Sequence, residues 1–504
     1  MKFKTLFSAC LLLATAVHAQ MPVRQLSAAT PFANTITPAF LESHLRIIAS
    51  EAMEGRETGT PGQEKAAAYI EEQFKSFGLL PGANGQWRQY YTMYADSLGG
   101  HTVLQVQGKS VEYGAGFFGN ISRNHGDTLT DLPVVFAGQG IVTDTRDDYK
   151  DQDVTGKIVL LLSEDFSFDS SGGKTSHGHF SEMDKVNSAT KKGAVAVLLV
   201  VDSTRIPKAP SRTGRLGMRR NGSISGANLY LIDVATATLI AGMPPAALAK
   251  VSPKVLPNKT SIVFEKISRE VKPSNVLAFL EGSDKKGEVL FITGHYDHLG
   301  KKGDKIFIGA DDDASGTSSV LALAHAFAAA KKAGKGPRRS IVFMTVSGEE
   351  EGLLGSGYYT EHPLYPLDST VVDLNTDMIG RIDPAHQNDT NYVYIIGDNK
   401  LSTALRPISE AANKQFTRMA LDYTYNDPKD VNRFYYRSDH YMFAQHKIPI
   451  IFYFNGVHED YHRATDTVDK IHFNLMARRS QLVFYTAWDI ANREEKLPVD
   501  SHEQ

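Results

Sequence analysis

Beyond Pro273 the chain alternates between short β-branched or apolar runs and longer helix-forming runs, and several of the strand-like runs end on acids or a histidine. Residues 289–293, 341–346, 371–374, 393–396 and 448–454 read as strands, and 315–330, 401–416 and 475–490 read as helices. A chain with this rhythm has few folding solutions. Strands separated by helices pair in parallel, and both faces of their sheet must be covered. The expected fold class is α/β, a mainly parallel mixed sheet with helices on both faces. In such open sheets the ligand site lies beyond the carboxyl ends of the strands. His295, Glu349-Glu350 and Asp377 each directly follow a predicted strand, so the sheet would bring them to one edge.

Four islands lie at the ends of apolar runs or open helix-like runs: Thr293-Gly294-His295-Tyr296-Asp297-His298-Leu299-Gly300, Gly309-Ala310-Asp311-Asp312-Asp313-Ala314-Ser315-Gly316, Ser347-Gly348-Glu349-Glu350-Glu351-Gly352 and Asn375-Thr376-Asp377-Met378. A fifth, Asp460-Tyr461-His462-Arg463-Ala464-Thr465-Asp466-Thr467, lies far downstream. An imidazole with several carboxylates is a ligand set for a divalent metal. Taken singly, each island has a plainer reading. His295 with Asp297 could be a buried pair, one acid of 311–313 could favour a helix N-terminus, Asp377 could be a cap, and His462 could be structural. His298 fits the ligand set least and is expected in support or at the rim. Three adjacent carboxylates at 311–313 and three more at 349–351 are costly, however, unless a cation neutralises them. Neighbouring carboxylates also point in different directions. One acid of 349–351 could bind metal while its neighbour faces a substrate as general base. Together the islands point to a two-metal hydrolase.

At 504 residues the chain is too long for one ordinary core. Residues 1–19 read as a signal peptide: Lys2 and Lys4 precede an apolar run over 6–17 and the small-x-small exit Val17-His18-Ala19. The expected location is therefore outside the cytoplasm, periplasmic or extracellular. The only cysteine, Cys10, falls in that run, so stability would rest on core size and bound metal rather than disulfides. No other run is long and apolar enough for stable membrane insertion. A formal net charge of −3 gives no bulk attraction to nucleic acid. Between 36 and 78 two helices are expected, the second capped by Thr60, started by Pro61 and ended by Gly78. The Gly/Glu/Thr-rich stretch 53–62 between them would be a rim loop or a plain connector. From about 102 to 264 short β-rich runs dominate, without a metal-ligand cluster, and the basic stretch 205–220 reads as a solvated loop. The expected organisation is an N-terminal part of the enzyme domain over 20–115, a β-rich inserted lobe over 116–265, and the main part over 266–504.

Taken as a set and in order, Gly294-His295-x-Asp297, the 309–316 island, Glu349-Glu350-x-Gly352, Asp377-Met378 and Asp460-Tyr461-His462 resemble the motifs of the M28 family of zinc metallopeptidases. The inserted lobe, with Gly156-Lys157-Ile158-Val159, is similar to the protease-associated (PA) domain found inside such enzymes. The resemblance implies a zinc-exopeptidase-like fold and two Zn2+ per chain. By position it implies that His295 and Asp377 hold one zinc, Glu350 and His462 the other, and Asp312 bridges them. Glu349 would be the general base, Asp297 would orient His295, Tyr435 would steady the oxyanion, and the Asp312–Asp313 peptide would be cis. Arg437-Ser438-Asp439-His440 matches a further family stretch. The implied substrates are peptides, with an aminopeptidase as the leading reading. A carboxypeptidase or dipeptidase would need a cation for the substrate carboxylate, for which Arg381 and Arg437 are candidates. Single-zinc glutaminyl cyclases are similar, but here His295 and Asp377 supply ligands for a second metal. A non-catalytic binding protein on the same scaffold would lack ligands that this chain retains.

Overall fold

The computed structural model describes residues 26–166, 180–220 and 225–501; the expected signal peptide at 1–19 lies outside them. The chain divides into two compact units, one built from residues up to Tyr91 and from Pro273 onward, the other from Thr92–Lys272.

The first unit is built on one mixed sheet. Its centre is four parallel strands in the order Arg339–Val346, Lys285–His295, Thr370–Thr376 and Ile450–Phe454. The flanks are antiparallel: Ser274–Leu280 pairs with Arg339–Val346 on one side, and Tyr392–Ile396 with Ile450–Phe454 on the other. Leu290 and Ile292 pack into one apolar cluster and Val289 and Phe291 into a second, as the two-residue period of a strand buried on both faces requires. Each such fully buried side chain contributes roughly 1.5–3 kcal/mol relative to exposure. Helices Pro38–Ile48, Pro61–Ser76, Ala314–Lys332 and Phe473–Asn492 supply the first cluster through Leu41, Ile70, Leu321 and Leu482. Helices Leu354–Glu361 and His440–Gln445 supply the second through Tyr359 and Phe443. The predicted N-terminal cap forms: Thr60 accepts from the Gln63 amide, with Pro61 in the first turn. The expected 401–416 helix is shorter, Leu405–Ala412, and continues as a π-turn over Asn413–Thr417.

The second unit has a six-stranded sheet whose centre, Val134–Phe136, Ile158–Leu162, Ala196–Val200 and Asn228–Ile232, is parallel. A four-stranded antiparallel sheet holds Lys109–Glu112, Val103–Val106, Thr260–Phe264 and Asp127–Leu132. Met93–Leu98 pairs with Lys266–Val271, so this unit begins and ends on partnered strands, reaching upstream of 116 and past 265. The basic stretch 205–220 is largely exposed, but Thr213 and Gly217 bridge to Ser97 and Tyr94 of the Met93–Leu98 strand. Among the described residues no helix is long and apolar enough to cross a membrane.

Candidate metal centre

The four parallel strands end on the same edge, and each leads into one of the islands. Lys285–His295 ends on His295; Arg339–Val346 is followed by Glu349 and Glu350; Thr370–Thr376 by Asp377; Ile450–Phe454 by the 460–462 loop. The remaining acid arrives from the turn before helix Ala314–Lys332. Asp313 caps that helix, its Oδ1 accepting from the Gly316 amide at 2.7 Å, and the Asp312–Asp313 peptide is cis.

Asp312 lies at the middle. Its Oδ1 is 3.2 Å from His295 Nε2, and that nitrogen is 3.6 Å from Asp377 Oδ1. Its Oδ2 is 3.1 Å from His462 Nε2, which is 3.2 Å from Glu350 Oε2. One carboxylate thus faces two separate donor groups, one oxygen to each. Glu349 Oε2 approaches His295 Nε2 to 4.0 Å from the cavity side. The six residues expected as ligands and base all converge.

The electrostatics show how unbalanced the cluster is. Burial drives Glu349 well above the usual carboxylate range, and the charges of Glu350 and Asp377 add to it. Burial alone would also raise Asp312, but the imidazoles of His295, His298 and His462 outweigh it and hold that carboxyl low. Burial would lower His462, yet Asp312 and Glu350 push it up to about 10. Asp312 Oδ2 and Glu350 Oε1 are buried and accept no aligned hydrogen bond among the described residues. Carboxylates so placed are stable only beside positive charge. Imidazole nitrogens and carboxylate oxygens at these spacings are donors suited to zinc-like divalent ions, so the residues present fit a metal centre.

Asp311 and Asp313, without an assignment from sequence, have structural work here, as does Asp466. Asp313 Oδ1 also accepts from the Met378 amide, and its Oδ2 from the His295 amide. Asp311 accepts from the Gly380 amide and pairs with His458 Nε2 at 3.1 Å. Asp466 Oδ2 accepts the amides of Asp311 and Asp312. These bonds fix the loop that presents Asp312. Asp297 contacts His295 through its main chain: His295 Nδ1 meets its carbonyl oxygen at 3.1 Å, while its carboxylate is 3.7 Å from that nitrogen. The carboxylate accepts from Thr58 and from the Glu349 amide.

The 53–62 stretch proves to be a brace. Arg56 is fully buried, and its guanidinium donates to the carbonyls of Ile48, Tyr296, Ile308 and Gly309 at 2.7–3.1 Å. Burial lowers its pKa to about 10, with Asp297 and Asp312 acting in the opposite direction. Arg56 therefore ties together the two loops that carry His295 and Asp312. Arg56→Met should cost roughly 3–5 kcal/mol, the usual result of leaving buried polar partners uncompensated, and Arg56→Lys should not restore it, because a single ammonium cannot reach four divergent carbonyls. Denaturant unfolding of the metal-free protein measures this; a loss below about 1 kcal/mol would remove the bracing role.

A cavity opens on the cluster. His295, Asp312, Glu349 and Asp377 form its polar side; Met378, Phe434, Phe452, Phe454 and Val457 form an apolar wall. Arg437 and Tyr461 also line it. Tyr435 is not among the lining residues: its ring packs on Tyr441 and under the Lys400 ammonium, because the turn at Phe434–Tyr436 aims Phe434 rather than Tyr435 at the cavity. The phenol that lines the cavity is Tyr461, whose hydroxyl accepts from Arg437 at 3.4 Å and whose ring stacks on His462 with centroids 3.9 Å apart. Adjacency to His462 was the one sequence signal that pointed to it. His462 and Met378 both hold left-handed backbone, φ +57° and +54°, which costs of order 1–3 kcal/mol each where surrounding bonds enforce it. Beside His462, Asp460 is clamped by Arg381 at 2.9 Å and Lys470 at 2.7 Å.

Residues 275–487 match peptidase family M28 and residues 130–226 match the PA domain. A probable zinc metalloprotease of Pyricularia oryzae is 28% identical over 281 residues, 47% of this chain and 53% of that protein. A probable leucine aminopeptidase of Arthroderma otae is 29% identical over 235 residues, 45% of this chain and 60% of that protein. The chain thus spans little more than half the length of these curated relatives. Among solved structures, an aminopeptidase from Aneurinibacillus sp. strain AM-1 aligns over 94% of this chain and 99% of its own with a TM-score of 0.56 at 20% identity. The zinc aminopeptidase BSAP from Bacillus subtilis aligns over 92% and 98% with a TM-score of 0.50 at 19% identity. At such identities these two likenesses concern the fold.

Proposed function

We propose, from a chain that carries a peptidase family M28 domain and a PA domain, that it is an exported di-zinc metallopeptidase that releases N-terminal residues from peptides. The observation that carries the reading is Asp312, whose two oxygens face His295 with Asp377 on one side and His462 with Glu350 on the other. Such a disposition supports a bridge between two metal sites. Export rests on the 1–19 segment alone. The names of the two relatives, probable zinc metalloprotease and probable leucine aminopeptidase, agree with the chemistry.

His295 and Asp377 would hold one zinc, Glu350 and His462 the other, and Asp312 both. When bound, a zinc pair supplies Lewis acidity that makes water a nucleophile near neutral pH and stabilises developing negative charge on oxygen. The protein's own part is the proton. Glu349 lies on the cavity side of His295, and its main chain is held by the Asp297 carboxylate. Its carboxylate accepts the proton of the attacking water as the C–O bond forms, and returns it to the nitrogen as the C–N bond breaks. Its raised proton affinity suits a group that must accept and then release a proton. The Tyr461 hydroxyl, on the cavity wall, is placed to donate to the carbonyl oxygen as it becomes negative.

The acids at the polar end favour a free ammonium, and the apolar wall of Phe434, Phe452, Phe454, Val457 and Met378 favours an apolar first side chain. Arg381, one candidate for a substrate carboxylate, is buried against Asp460 and so unavailable. Arg437 remains in the cavity and keeps the carboxypeptidase or dipeptidase reading specific. Leucyl and phenylalanyl peptides with a free amine should be cleaved, their N-acetyl forms should not, and a chelator should abolish turnover until zinc is restored. Release of C-terminal residues from N-acetyl peptides at a comparable rate would replace the aminopeptidase reading with the Arg437-based one.

A further inference from the structure

His298 is the second histidine of the 293–300 island, the one expected in support or at the rim. The structure buries it to 1% exposure directly beneath the second donor group. Its Nδ1 is 2.8 Å from Glu350 Oε1 and 3.8 Å from Asp312 Oδ2. Its ring lies against Gly309, where an added Cβ would come within 2.5 Å of the imidazole and 2.0 Å of the Asp312 carbonyl oxygen. Only glycine at 309 therefore allows both this ring and the Asp312 turn.

The contact with Glu350 is not a hydrogen bond. Neither ring nitrogen of His298 has an aligned partner among the described residues, and Glu350 Oε1 accepts none. The same holds on the opposite side: Asp312 Oδ2 accepts no aligned bond although His462 Nε2 is 3.1 Å away. Elsewhere in this unit, histidines that simply pair with acids are aligned, as His458 is with Asp311 at 3.1 Å and His386 with Asp383 at 2.7 Å. Close, unaligned nitrogen and oxygen atoms are what donors look like when they aim at a common point rather than at each other. The spacings agree. Four donors about 2.0–2.1 Å from a tetrahedral zinc lie about 3.3 Å apart. Four contacts are close to this: His298 Nδ1 is 2.8 Å from Glu350 Oε1 and 3.8 Å from Asp312 Oδ2, and His462 Nε2 is 3.1 Å from Asp312 Oδ2 and 3.2 Å from Glu350 Oε2, so Glu350 offers one oxygen to each histidine.

We propose that His298 is a further protein ligand of the metal held by Asp312, Glu350 and His462, making that site richer in imidazole than the one at His295. The inference rests on the two-metal reading above. It predicts an asymmetric pair: the His298 side is the tight site, and the His295 side exchanges first.

Metal counting tests it without any turnover assay. The wild-type holoenzyme should hold two zincs, and X-ray absorption at the zinc edge should find three imidazoles per zinc pair. Titration with a graded chelator should remove the zincs in two steps. In His298→Asn the amide nitrogen can take the place of Nδ1 and donate to Glu350, but it offers no imidazole lone pair to a metal. If His298 is a ligand, this variant should bind the tighter zinc at least ~100-fold more weakly, with His298→Ala behaving alike and the His295-side zinc unchanged. Wild-type affinity in His298→Asn would overturn the proposal and leave a hydrogen-bonding role, as would two imidazoles per zinc pair in the wild type, a measurement that needs no variant to fold. A wild-type protein holding a single zinc would instead fail the two-metal reading itself.

Discussion

Glu349→Gln should retain both metals and lose roughly 10²- to 10⁴-fold in kcat, the usual contribution of a positioned general base. The physical basis is a division of labour between neighbours. Glu350 turns its oxygens to His462 and His298, whereas Glu349 faces the cavity 4.0 Å from His295 Nε2. A glutamine is nearly isosteric and keeps the Asp297 contact, which runs through the main chain. It cannot accept the proton. Metal analysis and steady-state kinetics on the same preparation separate the two effects. A variant with two zincs and near-wild-type kcat would remove Glu349 as the base; one that lost metal would make it a ligand.

Asp312→Asn should weaken both metals at once and abolish turnover under conditions where the wild type is fully loaded. Each oxygen of Asp312 belongs to a different donor group, so one amide replaces the anionic character of both contacts. Asp377→Asn, in contrast, should weaken only the metal on the His295 side, since Asp377 approaches His295 and not His462. Equilibrium dialysis with two-site fitting distinguishes these patterns. Loss of a single metal in Asp312→Asn would contradict a bridge. The comparison also controls for general damage. Both carboxylates are buried at the same sheet edge, so a variant that merely disturbed folding would not discriminate between the sites.

Most of the first unit was legible in the residue pattern. Alternating strand and helix periods specify a parallel centre covered on both faces, and the observed split of Leu290 and Ile292 from Val289 and Phe291 is that rule at work. The antiparallel flanks were not legible. A strand such as Ser274–Leu280 is as apolar as its parallel neighbours, and its direction depends on the connections around it. The second unit shows the same limit: Met93–Leu98 and Lys266–Val271 pair across more than 150 positions, a contact that no local pattern announces.

The candidate site divides in the same way. Sequence alone determined which donors are present and at which end of the sheet they meet. Acids and histidines directly after parallel strands must share one edge, and adjacent carboxylates need a cation. Tertiary structure alone decided where each side chain points. After a strand ends, a residue's direction depends on loop dihedrals and on long-range bonds rather than on a period. Thus the phenol on the cavity wall belongs to Tyr461, while Tyr435, expected there, packs against Tyr441. His298 turns inward against Gly309, and Asp313 and Asp311 clamp backbone amides so that Asp312 alone faces the centre with both oxygens. Arg56, distant in sequence and unremarked there, holds the loops on either side through four carbonyls, because a buried guanidinium is satisfied only by acceptors that the completed fold brings together.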